Sequence, residues 1–206
     1  MTPPPFSSGV KRAHLISPFE GSLLLEMFTR DGSGTMISRD LYDGIRRASV
    51  DDISGIFKVI EPLVVAGNLV KRPRDMMEKE ISTYYVYTRD DMIVACGQIR
   101  RWGDEYAEIG CLVVHEDYRK SGRGDAMLSY LERLCVESGA RKVFVMSTVT
   151  MGWFLERGFK QTKLDILPAE KRASIKAGQE GRNSKVFFKE IRNERELDTE
   201  ELIWDR

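Results

Sequence analysis

Six consecutive residues, Arg119-Lys120-Ser121-Gly122-Arg123-Gly124, have the spacing R-x-x-G-x-G and sit between an apolar run ending at Val114 and an amphipathic segment. Two glycines let the main chain approach a ligand with no side chain in the way. A helix starting there adds N–H groups without acceptors and the positive end of its dipole, so the expected occupant is an anion such as a pyrophosphate. Other nucleotide loops do not fit. A dinucleotide fingerprint needs G-x-G-x-x-G and an acidic residue about twenty positions later at the end of a second strand, where this chain has a helix. The G-x-x-x-x-G-K-[ST] loop is absent.

These residues need a strand before the loop and a helix after it. Residues 107–114 are apolar almost throughout, as a buried central strand should be. Residues 122–138 repeat Ala126, Met127, Tyr130, Leu131, Leu134 and Cys135 at helical spacing. Upstream, residues 45–48 read as a strand, and Asp51 or Asp52 caps a helix bearing Ile53, Ile56, Val59, Ile60 and Leu63. A short helix follows over 74–81, then strands at 83–88 and 92–99 joined by Arg89-Asp90-Asp91 as a hairpin. Downstream come a strand at 142–146, a short helix at 152–157, a helix at 168–175 and a strand at 184–191. The expected fold class is α+β with a mixed sheet flanked by helices.

The first 44 residues have too few elements for a core of their own. Residues 1–8 read as disordered, 11–16 as a short strand, Ser22–Phe28 as helical turns, and 29–35 as a loop. Residues 192–206 form a charged tail. The domain expectation is 1–43, 44–191 and 192–206.

Basic and acidic residues number 32 each among 206, which argues against a nucleic-acid partner. No apolar run reaches the roughly 18 residues of a membrane span. Cys96, Cys111 and Cys135 lack metal or redox spacing and read as buried hydrophobes in a reducing compartment. His14 and His115 have no second ligand at metal spacing, so no metal is expected. The compartment is expected to be cytoplasmic, or an organelle matrix for a fragment of a longer precursor.

The loop, the strand KVFVM and the helix WFLERGF together resemble the acetyl-CoA-binding core of the GNAT N-acetyltransferases. A narrower resemblance is carried by IRRASVDDISGIFKVIEPLVVAGNLVKRPRDMMEKEI, EIGCLVVHEDYR, VMSTVTMGWFLERGF, ILPAEKR and GRNSKVFFK. Together these are similar to the N-acetylglutamate synthase family, whose reaction opens arginine biosynthesis. GVKRAHLIS and LLLEMFTRDGSGTMIS resemble the C-terminal end of the amino-acid-kinase domain that precedes the acetyltransferase in that family. The rest of that domain is missing from this chain. His14, Glu26, Gly34 and Thr35 fall in the segment that helps form the family's arginine pocket, and alone they are expected to form no competent pocket.

The resemblance implies a GNAT fold in which the cofactor strand splays from its neighbour. Acetyl-CoA is then the co-substrate, its pantetheine arm pairing with the backbone of Cys111, Leu112, Val113 and Val114. Its pyrophosphate lies on Arg119 to Gly124. The acceptor is L-glutamate. Glu108 takes the base position, acting through a water. Many relatives supply a tyrosine acid where this chain has Phe154, so Ser147 stands in as the acid, or the thiolate leaves without one, since a thiol has a pKa of about 8.5. Arg72 and Arg182, with Ser184 alongside, hold the carboxylates, a task that suits the planar guanidinium. Lys71 and Arg74 flank Arg72 and could exchange roles with it. The alternatives are a GNAT enzyme acting on another amine and a catalytically idle module that binds acetyl-CoA. The apolar SLLLEMF segment predicts a homo-oligomer.

Overall fold

The structure is a computed structural model that describes residues 12–19, 21–29, 32–38, 43–178 and 184–191. The chain divides into two units, Met1–Gly44 and Ile45–Arg206. In the first, β1 (Arg12–Leu15) pairs antiparallel with β2 (Thr35–Ser38), and α1 (Ser22–Phe28) lies between them in sequence. The sequence reading put Thr35 at the end of a loop and missed β2, because four residues, TMIS, are too short to show alternation against a turn-rich background. Glu26 ties this unit together. Its carboxylate accepts N–H bonds from Ser33 and Gly34, both at 2.8 Å, and lies 2.5 Å from His14 Nδ1. The His14 bond, then the two main-chain bonds, hold its pKa down at about 2. Leu23, Leu24, Met27 and Phe28 on α1 are exposed.

The second unit is built on a seven-stranded sheet in the order β3-β4-β5-β6-β7-β9-β8. Its strands are β3 (Asp43–Arg47), β4 (Tyr84–Arg89), β5 (Met92–Trp102), β6 (Tyr106–Val114), β7 (Lys142–Ser147), β8 (Lys160–Thr162) and β9 (Lys185–Glu190). β6 and β7 run parallel, while β4–β5, β5–β6, β7–β9 and β8–β9 are antiparallel. The mixed α+β expectation holds. In this sheet the strand not expected from the sequence is β8, whose three residues KQT are polar and lie on the sheet's edge, where no alternation is required.

Helices cover both faces. α2 (Ile53–Val65) and α3 (Arg74–Glu80) bury Ile53, Ile56, Ile60 and Met77 against Val86 and Cys96. On the other face α4 (Arg123–Glu137) and α5 (Met151–Leu155) bury Met127, Leu131 and Phe154 against Ile109, Val143 and Phe187. α6 (Ala169–Gly178) follows the short 3-10 turn at Leu164–Ile166. Its Ile175 packs on a third cluster of Phe144, Leu167 and Val186. Asp52 holds the N-cap position of α2, as expected, but makes no side-chain cap bond there. Ser49 caps the 3-10 turn Val50–Asp52 that leads into the helix, and Asp52 returns the bond by accepting the Ser49 N–H at 2.7 Å. That is a reciprocal capping box, with the acidic partner three residues after the serine.

Two local features shape the sheet near the loop. The β4–β5 hairpin turns on Asp90 and Asp91, with φ of 48° and 61°, the left-handed pair a type I′ turn requires. Between Cys96↔Val113 and Gln98↔Gly110 the register shifts. Cys111 and Leu112 therefore oppose Gly97 alone, which makes a β-bulge on β6. Cys111 has φ +49° there, a conformation uncommon outside glycine. A Cβ at Gly97 would lie 2.6 Å from Leu131 Cδ1, so the bulge is fitted tightly under α4.

Candidate active site

β6 and β7 are paired only from Tyr106↔Lys142 to Glu108↔Phe144. Beyond Glu108 both strands continue, β6 to Val114 and β7 to Ser147, with no ladder between them. The unpaired edge of β6 includes Cys111, Leu112, Val113 and Val114. A cavity of about 130 Å³ opens in the gap, walled by Cys111, Leu112 and Val113 on one side and Val145, Ser147 and Thr150 on the other. The bulge falls within this free edge.

Past Val114 the chain makes one 3-10 turn, Glu116–Tyr118, and enters the loop. Arg119 Nε bonds Val114 O at 3.1 Å, Ser121 Oγ bonds Tyr118 O at 2.7 Å, and Arg123 Nη1 bonds Ser121 Oγ at 2.7 Å. Lys120 has φ +60° and Gly122, at the cap of α4, has φ +76°. The first α4 amide with a main-chain acceptor outside the helix interior is Ala126, bonded to Gly122 O at 2.9 Å. The N–H groups before it have no intrahelical acceptor.

A second cavity, of about 220 Å³, shares Gly110 and Cys111 with the first and contains Glu108. Residues opposite one another on antiparallel strands share a face, so the pairs Gln98↔Gly110, Arg100↔Glu108 and Trp102↔Tyr106 line up on one side of the sheet. A Cβ at Gly110 would meet nothing within 4 Å, so its glycine leaves the junction of the two cavities open. Four cationic residues, Lys71, Arg72, Arg100 and Lys171, face a single carboxylate, Glu108, in this cavity. Ser184 also lines it. Arg182 lies outside the described residues.

Arg72 is held by neutral partners. Its Nη1 bonds Gln98 Oε1 at 2.6 Å and the Tyr84 hydroxyl. Gln98 Nε2 in turn donates to Thr83 Oγ1 at 2.9 Å and Glu80 Oε2 at 3.1 Å. Glu80 also takes Arg100 Nη2 at 2.5 Å. Burial pushes the Tyr84 phenol up to about 12, so it stays neutral. Arg72 is charged, as a guanidinium always is, and among the described residues it has no carboxylate within salt-bridge distance. Glu108 is paired. Lys171 Nζ reaches its two oxygens at 2.7 and 2.8 Å, and Trp102 Nε1 donates to Oε2 at 3.0 Å.

Ser147, at the end of β7, lies across the smaller cavity from the bulge. Its Oγ is 3.0 Å from Thr150 Oγ1 and accepts N–H groups of Thr150 and Val149 at 3.3 and 3.4 Å. Phe154 is buried and meets Phe159 edge-to-face, with the ring centres 5.5 Å apart.

Residues 59–159 match the acetyltransferase (GNAT) family. Curated amino-acid acetyltransferases from Mannheimia succiniciproducens and Pasteurella multocida are 46% and 42% identical to the chain over 167 and 189 residues. These matches cover 80% and 91% of the chain but only 38% and 42% of the relatives. The chain belongs to the GNAT acetyltransferase family. Within it, the likeness runs to the N-acetylglutamate synthases. The enzyme from Neisseria gonorrhoeae, solved with coenzyme A and N-acetyl-glutamate, superposes with a TM-score of 0.70 at 33% identity, covering 84% of this chain and 41% of that one. The same enzyme with coenzyme A and L-arginine gives 0.75 at 31% identity, over 91% and 42%. The chain thus spans about two fifths of the length of the relatives it matches.

For a GNAT protein, the arrangement brings Glu108, Arg72 and Ser184 to one cavity, and Ser147 with the bulge to the adjoining one. Lys71 lines the first cavity too, whereas Arg74 pairs with Glu78 on α3 at 2.9 Å. Sequence reasoning missed Lys171, Gln98 and Arg100. Two signals were present. Gln98 is a polar interruption of the apolar run MIVACGQI, and Lys171 is a cation in the first turn of α6, where the helix dipole disfavours positive charge. Among the described residues no helix is long and apolar enough to cross a membrane, and no three His, Cys, Asp or Glu side chains cluster as a metal site.

Proposed function

We propose that the chain transfers the acetyl group of acetyl-CoA directly to the α-amine of L-glutamate. The observation that carries this is the junction at Gly110. There a splayed, unpaired strand edge meets a cavity with four cationic residues and one carboxylate. An extended amide-bearing arm satisfies an open strand edge as an added strand would, which suits pantetheine along Cys111 to Val114. The amides of Arg119 to Gly124 take the pyrophosphate. A cavity rich in cations suits a dicarboxylate acceptor, with Arg72 and Arg182 as carboxylate clamps and Ser184 beside them.

Chemistry then proceeds at the shared floor. Acceptor glutamate arrives as an ammonium and loses a proton to Glu108 through a water. A carboxylate has about four acceptor sites, and Glu108 uses three on Lys171 and Trp102, so one is left for that water. The free amine forms the new C–N bond at the thioester carbonyl, whose oxygen takes the negative charge facing the N–H of Leu112 or Val113 at the bulge. The C–S bond breaks as the carbonyl re-forms. The nitrogen sheds its second proton as the amide forms; coenzyme A leaves as the thiolate with that proton passing to water, or takes a proton from Ser147, which the nitrogen's proton then replaces. The Ser147 oxygen already accepts two main-chain N–H groups.

The unit Met1–Gly44 is proposed as the end of the kinase-like domain, and its exposed α1 as an association surface of a homo-oligomer. The function is tested by following coenzyme A release with a thiol reagent. Release dependent on glutamate and slight with amino acids lacking a side-chain carboxylate is the expected result. Substitution of Arg72 by Met should raise KM for glutamate about 10- to 100-fold, the worth of a charged hydrogen bond. Release indifferent to glutamate would reject the assignment.

A further inference from the structure

The Lys171 ammonium is placed unlike any other cation in the cavity. Its side chain and that of Glu108 are each 10% exposed, and the two are 63 residues apart in sequence. The ammonium also lies 5.1 Å from the centre of the Trp102 ring. A lysine carries three N–H donors. Its two hydrogen bonds go to the two oxygens of Glu108, so at least one donor has no oxygen or nitrogen acceptor among the described residues. A donor buried to this degree and lining a cavity costs free energy unless a ligand accepts from it.

We infer that Lys171 is the recognition group for the acceptor's α-carboxylate and, through its bonds to Glu108, the positioning residue of the base. This rests on the function proposed above. The chemistry of an α-amino acid fixes the assignment. The amine that gives up its proton toward Glu108 is separated from the α-carboxylate by a single carbon. The anion nearest the base is therefore the α-carboxylate, and the cation nearest the base is Lys171. Arg72, tied to Tyr84 and Gln98 rather than to Glu108, is left for the far carboxylate. One ammonium then bridges base and substrate, so an amine without a neighbouring carboxylate leaves the bridge incomplete.

The test compares three acceptors: glutamate, its α-carboxamide isoglutamine, and its side-chain amide glutamine. Within one preparation the ratio of kcat/KM values does not depend on how much enzyme is folded, so a destabilised variant is still informative. The wild type should prefer glutamate over isoglutamine by about 10- to 100-fold. In Lys171→Gln that preference should shrink about tenfold or more, while the preference over glutamine persists. Lys171→Arg should recover part of it. Should turnover by the variant be too slow, calorimetric affinities for the three acceptors in the presence of coenzyme A give the same comparison. A variant that keeps the wild-type preference for glutamate over isoglutamine overturns the inference and leaves the acetyltransferase reading intact. Wild-type enzyme that never turns over glutamate overturns both.

Discussion

Asp52 and Glu108 are equally buried, at 8% exposure, and each is gripped by a cation through two short bonds. Their surroundings part company after that. Asp52 is fully engaged: Arg46 supplies bonds of 2.7 and 2.8 Å, and Ser49 adds its N–H at 2.7 Å and its hydroxyl at 3.1 Å. Those four bonds use about all the acceptor sites a carboxylate has, and every partner is within six residues in sequence. Glu108 has three bonds, a cation from a distant helix, and a cavity in front of it. Saturation by local partners marks a carboxylate that holds structure. One remaining acceptor site facing a cavity marks a carboxylate available to a ligand.

That contrast can be broken. Glu108→Gln should lower kcat by about 10²- to 10⁴-fold, the usual worth of a general base, while coenzyme A binding measured by calorimetry is retained. A variant with wild-type kcat would remove Glu108 from the chemistry. Asp52→Asn should do the reverse, leaving kcat within about twofold and costing stability. Arg46 is 41% exposed, which screens its charge, so the loss is about 1–2 kcal/mol, chiefly from the cap. Thermal unfolding should register it as about 2–8 °C.

Acid sharpens the comparison with a smaller effect. The Arg46 bond holds the Asp52 carboxyl below its usual 3.8, so the stability it contributes is whole above that value and is lost as pH falls below it. An acid titration of unfolding should show a shallower limb in Asp52→Asn than in wild type. Glu26 belongs to the other unit and follows the same sign. Its pKa is lowered from 4.5 to about 2, so protection of the Ser33 and Gly34 amides from hydrogen exchange should persist at pH 4 and fade toward pH 2.

How much was legible before any coordinates? Elements with full periods were: the apolar run of β6, the stripe of Met127, Leu131 and Cys135 on α4, and the R-x-x-G-x-G loop between them. Three- and four-residue strands were not, because β2 and β8 are held by pairing rather than by pattern. Asp52 was legible as the N-cap of α2, but the Ser49 cap of the turn ahead of it was not, because Ser and Asp both favour such positions and only the observed bonds separate the roles. In the candidate site, the resemblance marked Glu108, Arg72, Ser147 and Ser184, and those four line the two joined cavities. Lys171 and Gln98 went unread, although each breaks a local rule where it stands.

By itself the sequence determined what is decided within a few turns of chain: the R-x-x-G-x-G loop, the strand and helix that frame it, and the apolar faces that make a mixed sheet. These follow from periodicity and from the backbone freedom of glycine. Tertiary structure decided the rest. It set where β6 and β7 part, since pairing stops at Glu108↔Phe144 through register and the bulge opposite Gly97. It also decided that a lysine from α6 meets a carboxylate from β6. Contacts between residues 63 apart depend on how layers pack, and no local propensity encodes them.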